Sequence, residues 1–276
     1  MSNNGINKRK RGRPRLHVSE KPNNIVIALD RGLKVLHALS SDGNSILSDI
    51  ANKAGLPASS AHRILATLEK HGFVELNETT QEWAIGIEAF RVGSSYLDNT
   101  NLVKTSYTIM SELMEKTGET ANLGIIKDGD VVFISQVESK NPIRAFFGQG
   151  TRSPIHASGI GKAILAYAND LEIAKYFQNY SLFKFTPKTI ISLEALIEDL
   201  EITKTRGWAF DDEERYYGMR CVAAPIFDSN NNVISGISIS GPTARFTDSI
   251  ISELGPQVNE AAYQISHMLG AKPNYI

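Results

Sequence analysis

Residues Gly55 to Leu76 read "GLPASSAHRILATLEKHGFVEL". Gly55 and Pro57 flank Leu56 as the end of one helix and the start of another, because glycine suits the position after a helix and proline the entry to the next. Beyond them Ala61, Ile64, Leu65 and Leu68 recur at helical spacing and form an inward face. The opposite face then carries Ser59, Ser60, His62, Arg63, Thr67 and Lys70. After Gly72, "GFVEL" and "EWAIG" read as two short strands joined across "NETTQ", residues 77 to 81.

Working upstream, Leu47, Ile50, Ala51 and Ala54 predict a short helix that stops at Gly55. Ile25, Leu29, Leu33, Leu36 and Leu39, at spacings of three or four, predict a longer one that ends near "SSDGN". A long helix, a short helix, a tight glycine turn, a helix with small polar residues in its first turn and a hairpin together describe a winged helix-turn-helix over residues 25–86. On that reading Ser59 and Ser60 hold phosphates while His62 and Arg63 reach base edges of double-stranded DNA. The alternative is a purely structural three-helix bundle. Five basic residues against seven acidic ones leave this segment at −2, so any grip on DNA needs its cations on one face or help from elsewhere.

Residues 1–24 offer that help. They hold Lys8, Arg9, Lys10, Arg11, Arg13, Arg15 and Lys21 against Glu20, a net +6, so the rest of a chain with formal charge −1 sums to −7. The tail has no hydrophobic periodicity, which predicts disorder until it binds a polyanion. Within it "RGRPR" sets Arg11, Arg13 and Arg15 on a scaffold that cannot be helical. It resembles the RGRP core of an AT-hook, thin enough for the electronegative minor groove of A·T-rich DNA.

The 276 residues leave room for a second, larger domain. No apolar run approaches the roughly 18 residues that span a bilayer, and no apolar stretch follows the basic N-terminus as in a signal peptide. The single Cys221 excludes an intrachain disulfide and a cysteine-rich zinc site, and suits a reducing cytoplasm. Residues 87–100 read as a linker helix with Ile87, Phe90, Val92 and Tyr96 as its apolar positions. Residues 101–276 alternate helices, expected at 102–117, 159–168, 189–205 and 247–269, with strands. "ANLGIIKDGDVVFISQVE" is a hairpin turning at Asp128-Gly129; 142–148 and 206–210 read as further strands, and 220–228 with 233–240 as a second hairpin. The chain is therefore α+β, a largely antiparallel sheet packed by helices.

One loop of this domain, "PIHASGIGKAIL" from Pro154 to Leu165, looks like a phosphate grip. A P-loop needs glycine where His156 stands and a hydroxyl where Ala163 stands; a dinucleotide fingerprint needs a small residue at Ile164. Both patterns fail, and no nucleotide or other cofactor is expected. What remains is a capped helix start, with Ser158 as the candidate cap, whose backbone N–H groups favour a small anion. Other polar groups gather in "FDDEE" (Phe210 to Glu214), around Cys221, and in "ISISGP", where Ser238 and Ser240 share one face of a strand. Few polar groups inside an apolar pocket is the usual design of a small-molecule site.

The helix-turn-helix followed by "HASGIGKA", "FDDEERYYGMRC" and "ISISGP", in that order over roughly residues 25–270, resembles the IclR family of bacterial transcription regulators. The resemblance implies a GAF/profilin-like effector domain, a DNA-binding domain that dimerises, and a homodimer or homotetramer on a palindromic operator, with repression relieved by ligand. Position by position the chain is similar to regulators that sense glyoxylate or pyruvate. By that likeness the N–H groups of Gly159 and Ile160 receive an effector carboxylate, and Asp211, Cys221, Ser238 and Ser240 complete the polar ring. Pro142, Ala145, Ser153 and Met219 line the rest of the pocket, a smaller and more polar set than in those sensors. Lys162 is expected to be a solvated residue of the helix's first turn, and the carboxylates beside Asp211 to face solvent or pair with Arg215 and Arg220. No catalytic set demands turnover. The alternative is a metabolite-binding or carboxylate-metal enzyme, using Cys221 with His156 or a cation on the acidic run, with structural N-terminal helices.

Overall fold

The computed structural model describes residues 25–98 and 101–272, so Arg11, Arg13 and Arg15 lie outside the described residues. The chain divides into two compact units on either side of Gly93 and Ser94.

The N-terminal unit begins with α1 (Ile27–Asp42), β1 (Ser45–Ile46), α2 (Leu47–Ala54) and α3 (Ala58–Lys70), followed by β2 (Val74–Asn77) and β3 (Glu82–Ile85). Gly55 takes the left-handed conformation, φ +63°, and its N–H donates to the carbonyls of Ala51 and Asn52, a closure that a Cβ would strain. Pro57 sits one position earlier than proline's favoured place, at the N-cap of α3, with its carbonyl accepting from the Ala61 N–H at 3.0 Å. The hairpin turn is tied by Asn77, whose side-chain oxygen accepts from the N–H groups of Thr79 and Thr80 at 3.0 and 3.2 Å. The two-residue β1 extends the sheet to the order β1-β3-β2.

Val35, Ala38, Leu39, Ile50, Leu65, Val74 and Trp83 form the core of this unit. The apolar stripe expected to bury α1 is thus only partly its core face. Leu39 is fully buried, but Ile25, Leu29 and Leu33 are 59, 62 and 49% exposed. The helix is apolar on two sides, and the side through Val35 and Ala38 faces α2 and α3.

After α4 (Ile87–Asp98), the C-terminal unit runs α5 (Asn101–Thr117), β4 (Thr120–Lys127), β5 (Asp130–Val137), β6 (Arg152–Pro154), a 3-10 turn (Ile155–Ala157), α6 (Gly159–Leu165), α7 (Asp170–Asn179), α8 (Leu193–Arg206), β7 (Ala209–Asp212), β8 (Met219–Phe227), β9 (Val233–Pro242) and α9 (Asp248–Met268). The strands form one antiparallel sheet in the order β6-β5-β4-β9-β8-β7. Asp128 and Gly129 both have positive φ, 48° and 86°, as a two-residue turn between twisted strands requires.

Alternation along the strands assigns the two faces. Ala121, Leu123, Val222, Ala224, Ile226, Ile237 and Ile239 pack with α5 and α9. The opposite face meets a second core that includes Ile155, Ile160, Ala163, Leu196 and Leu200. There α6 presses against the sheet so closely that a Cβ on Gly236 would stand 2.9 Å from Ile160 Cγ2, and one on Gly161 2.0 Å from the Ile155 carbonyl oxygen.

Two expectations change. Residues 142–148 are loop rather than strand. Their carbonyls are claimed by side chains instead of a ladder: Thr120 Oγ1 donates to Ala145 O at 2.9 Å and Arg245 Nη2 to Ile143 O at 2.9 Å. Helix α7 is additional, opened by a reciprocal cap in which Asn169 Oδ1 accepts from Glu172 N at 2.9 Å and Glu172 Oε2 from Asn169 N at 3.1 Å. Among the described residues no helix is long and apolar enough to cross a membrane.

Candidate functional site

The face of the sheet turned toward α6 carries the polar groups. Along β9, Ser238 and Ser240 alternate with the buried Ile237 and Ile239. In register, Ser240 lies opposite Cys221 on β8, and Cys221 opposite Asp211 on β7. On the other side Ser238 lies opposite Asn122 of β4. Antiparallel registry therefore places four side chains from three strands on one face, with Asn122 behind them.

Asn122 is a residue that the sequence analysis missed. Its amide nitrogen donates to the hydroxyl oxygens of Ser238 and Ser240 at 3.4 and 3.3 Å, and its oxygen accepts from Gln136 Nε2 at 2.8 Å. A hydroxyl that accepts one hydrogen bond keeps its own proton to donate. Asn122 thus points both serines toward acceptors. The available signal was a polar residue in "ANLGI" on the strand face opposite Ala121 and Leu123.

Above these groups lies a cavity of about 30 Å³. It is lined by Asp211, Cys221, Ser238 and Ser240, by Ser153, by Ala157 to Ile160 at the start of α6, and by Phe133, Phe147, Arg215 and Tyr216. Phe133 and Phe147 stack with centroids 4.9 Å apart and form its apolar wall. Of the residues assigned to the site from sequence, the fold brings together Gly159, Ile160, Asp211, Cys221, Ser238, Ser240 and Ser153. Pro142, Ala145 and Met219 fall outside the lining. Pro142 is exposed and Ala145 is buried in the pinned loop, while Met219 begins β8 opposite Pro242, two residues before Cys221. The Ser158 side chain makes no cap hydrogen bond. A Cβ on Gly159 would come within 2.9 Å of Cys221 Sγ, so glycine is what lets the start of α6 approach the thiol.

Lys162 overturns the expectation of a solvated side chain. It is 1% exposed, with Nζ bonded to Glu214 and 3.0 Å from Asp199 Oδ2, and donating to the Phe210 carbonyl. Burial penalises the ammonium, but Glu214, Asp199 and Asp211 outweigh it and raise its pKa. Helix α6 packs against β7, which carries Phe210, and α8, which carries Asp199, and the Lys162 side chain is covered where these elements meet. Glu214, expected at the surface, is 4% exposed as its partner. The rest of the acidic run pairs as surface carboxylates do: Asp212 with Arg220 at 2.6 Å and Lys188 at 3.0 Å, and Glu213 with Lys188 at 2.6 Å.

Burial and the charge of Glu214 push the Asp211 carboxyl up to about 7, Lys162 opposing. Burial and Asp211 push the Cys221 thiol up to about 12, the serine hydroxyls opposing. A thiol held protonated is a poor nucleophile. His156 is buried, and its Nε2 lies 3.0 Å from the Phe183 carbonyl; a carbonyl only accepts, so Nε2 carries the proton. Nothing in this geometry makes a nucleophile and base of the two. Among the described residues no three His, Cys, Asp or Glu side chains are grouped to hold a metal ion.

In the N-terminal unit, Ser59, His62 and Arg63 are exposed on α3 and Ser60 is half-buried. Ser60 and Arg63 line a groove of about 440 Å³ between α1 and α3, with Leu29 and Ile64.

A helix-turn-helix unit with a wing, joined in one chain to a sheet domain that encloses a polar cavity, defines a ligand-binding transcription regulator. The family models agree with both units: "IclR helix-turn-helix domain" matches residues 28–78 and "Bacterial transcriptional regulator IclR C-terminal" matches residues 94–267. The chain belongs to the IclR family. It is 44% identical to the HTH-type transcriptional regulator BhcR of Paracoccus denitrificans (strain Pd 1222), over 94% of each protein. It is 39% identical to the transcriptional repressor IclR of Escherichia coli (strain K12), over 95% of this chain and 96% of that one. Among solved structures it shares the fold of an IclR homolog from Microbacterium hydrocarbonoxydans complexed with 4-hydroxybenzoate. That match has a TM-score of 0.77 at 23% identity, and covers 88% of this chain and 98% of the other. The chain is a DNA-binding transcription regulator and not an enzyme.

Proposed function

We propose that this chain is a repressor whose DNA binding is controlled by a small carboxylate of the size of glyoxylate or pyruvate, held in the cavity at the start of α6. The observation that carries the reading is the cavity's lining, a few polar donors against an apolar wall. The space is about 30 Å³, about one water molecule's share of the liquid, so an acid of two or three carbons has to widen it and an aromatic ring would have to widen it far more. The backbone N–H groups of Gly159 and Ile160 are positioned to donate to the carboxylate. Ser238, Ser240, Cys221 and the protonated form of Asp211 are donors for its carbonyl or hydroxyl, and Asn122 aims the two serines.

On the DNA side, Ser59, Ser60, His62 and Arg63 meet the major groove while Arg11, Arg13 and Arg15 add affinity through the minor groove. The exposed Leu29 and Leu33 of α1, and Ile87 and Phe90 of α4, 66 and 68% exposed, are apolar surface suited to a second copy, supporting a homodimer or homotetramer on a palindromic site in the cytoplasm. Effector binding then shifts the population between states that do and do not space two recognition helices for the operator.

Calorimetric titration with glyoxylate, pyruvate and related small acids, paired with gel shifts on the upstream DNA of its own gene, tests this. Saturable binding by at least one small 2-oxo acid, with release of DNA, is expected. No binding by any of them at millimolar concentration would sink the effector assignment.

A further inference from the structure

A small acid entering this cavity meets Asp211, whose ionised form has the same charge, and loses water that a few neutral donors replace incompletely. An anion taken out of water without a cation nearby costs several kcal/mol, on the order of the penalty for any unpaired buried charge. Lys162 cannot supply that cation. It does not line the cavity and is committed to Glu214, Asp199 and the Phe210 carbonyl.

Arg215 does line it. Its guanidinium carbon lies 3.9 Å over the Phe185 ring and 5.3 Å from the centre of Tyr216. Stacked in this way, a guanidinium keeps its plane fixed and its N–H groups radiate outward in that plane, the geometry that a carboxylate meets side-on. Its Nε is buried and has no hydrogen-bond partner. An unsatisfied buried donor on a charged group is costly, and rare enough to need a cause.

The surroundings hold Arg215 in place rather than satisfy it. On its N-terminal side the Glu214 N–H donates to Asp211 Oδ1 at 2.8 Å, and the Glu214 carbonyl accepts from Thr189 Oγ1 at 2.6 Å. Thr189 Oγ1 also accepts from the Phe185 N–H at 3.0 Å, so one hydroxyl fixes both the loop bearing Arg215 and the ring beneath it. The arginine is thereby preorganised, which lowers the entropy lost when a ligand is bound.

We infer that Arg215 is a specificity-determining residue of the effector site, whose guanidinium pairs with the carboxylate and makes the cavity select small acids over their neutral isosteres. The inference rests on the effector reading above and adds a residue to it. It also divides the labour of the site. Arg215 recognises charge, and the ring of Ser238, Ser240, Cys221 and Asp211 recognises the group beside it.

The test is titration of the full chain and of Arg215→Gln and Arg215→Lys with pyruvate and with pyruvamide, its neutral isostere, alongside the thermal midpoint of each unliganded protein. The intact chain is expected to prefer pyruvate. Arg215→Gln should lose about ten- to a hundred-fold in pyruvate affinity, the range for one charge-assisted hydrogen bond, with pyruvamide and the thermal midpoint nearly unchanged. Arg215→Lys, with charge but no fork, should fall between. Pyruvate binding to Arg215→Gln as tight as to the intact chain overturns the assignment and leaves the effector site standing. So does an equal loss for acid and amide with a lowered midpoint, which marks a structural role, or an intact chain that does not discriminate the two ligands. Failure of the intact chain to bind any small acid removes the effector reading itself, and the role of Arg215 with it.

Discussion

The two units of this chain break the inside-outside rule in opposite directions. In the N-terminal unit Leu29 and Leu33, on the regular apolar stripe of α1, are exposed. In the C-terminal unit Lys162, in the first turn of a helix, is among the largest fully buried side chains. The first is surface that an isolated chain leaves uncovered. The second is a charge whose partners, Asp199 and Glu214, come from positions 37 and 52 residues further on. Periodicity reports which residues share a face; burial depends on what the fold brings against that face.

The difference is sharpest at Lys162. Lys162→Ala leaves Glu214 buried and Asp199 half-buried without their cation, and breaking a buried pair typically costs about 3–5 kcal/mol. Urea denaturation should show that loss in the transition of the C-terminal unit only, and effector binding should weaken because Glu214 adjoins Asp211 and Arg215. A loss below about 0.5 kcal/mol, the range of ordinary surface changes, would mean that the lysine is solvated after all.

Gly159→Ala is next. Its Cβ would stand 2.9 Å from Cys221 Sγ, and overpacking of this kind costs about 1–3 kcal/mol. Effector affinity should fall as well. Cys221→Ala in the same chain should restore stability, and a double-mutant cycle with no coupling would show that the contact does not set the approach of α6.

A smaller effect is expected from pH. The Asp211 carboxyl is raised from 3.8 to about 7 in the folded chain, so the native state binds more protons than the unfolded one between these values. Its contribution to stability is fully present below about pH 4 and is lost as pH rises through about 7. Asp211→Asn should therefore raise the thermal midpoint more at pH 8 than at pH 5. Anion binding beside Asp211 favours its protonated form, so effector affinity in the native chain should decline above about pH 7 and that decline should flatten in Asp211→Asn. Glu214 and Asp212 push in the same direction as burial, and Lys162 against it.

At the far end, Leu33→Gln should change the stability of the N-terminal unit by no more than about 0.5 kcal/mol, while reducing self-association in sedimentation. A destabilisation of about 2 kcal/mol or more, the cost of a truncated core leucine, would place Leu33 in the unit's own core and cancel the contrast with Lys162.

Much of the C-terminal domain was legible because its signals are local. The Asp128-Gly129 turn fixed one hairpin, and alternation in "ISIS" separated two serines from two isoleucines. Helix α7 was passed over, although the spacing of Asn169 and Glu172 carries the cap that opens it. Residues 142–148 were not legible, since their apolar character suits a strand but their hydrogen bonds go to Thr120 and Arg245. The polar set of the cavity could be assembled from sequence only through the family resemblance, because its members come from three strands and a helix start. Asn122 and Arg215 fell outside that set. Their importance lies in what they touch, and neither has a local pattern that announces it.

The sequence by itself determined the order of the elements, the two units with a basic tail before them, and the family. These follow from periodicity, turn chemistry and short motifs, all properties of neighbouring residues. Only the tertiary structure decided that Lys162 is buried, that Asn122 aims the serines, and that Arg215 lines the cavity with its Nε unpartnered. Each depends on groups that meet across 30 to 118 residues of chain, and on which of two apolar faces the packing covers.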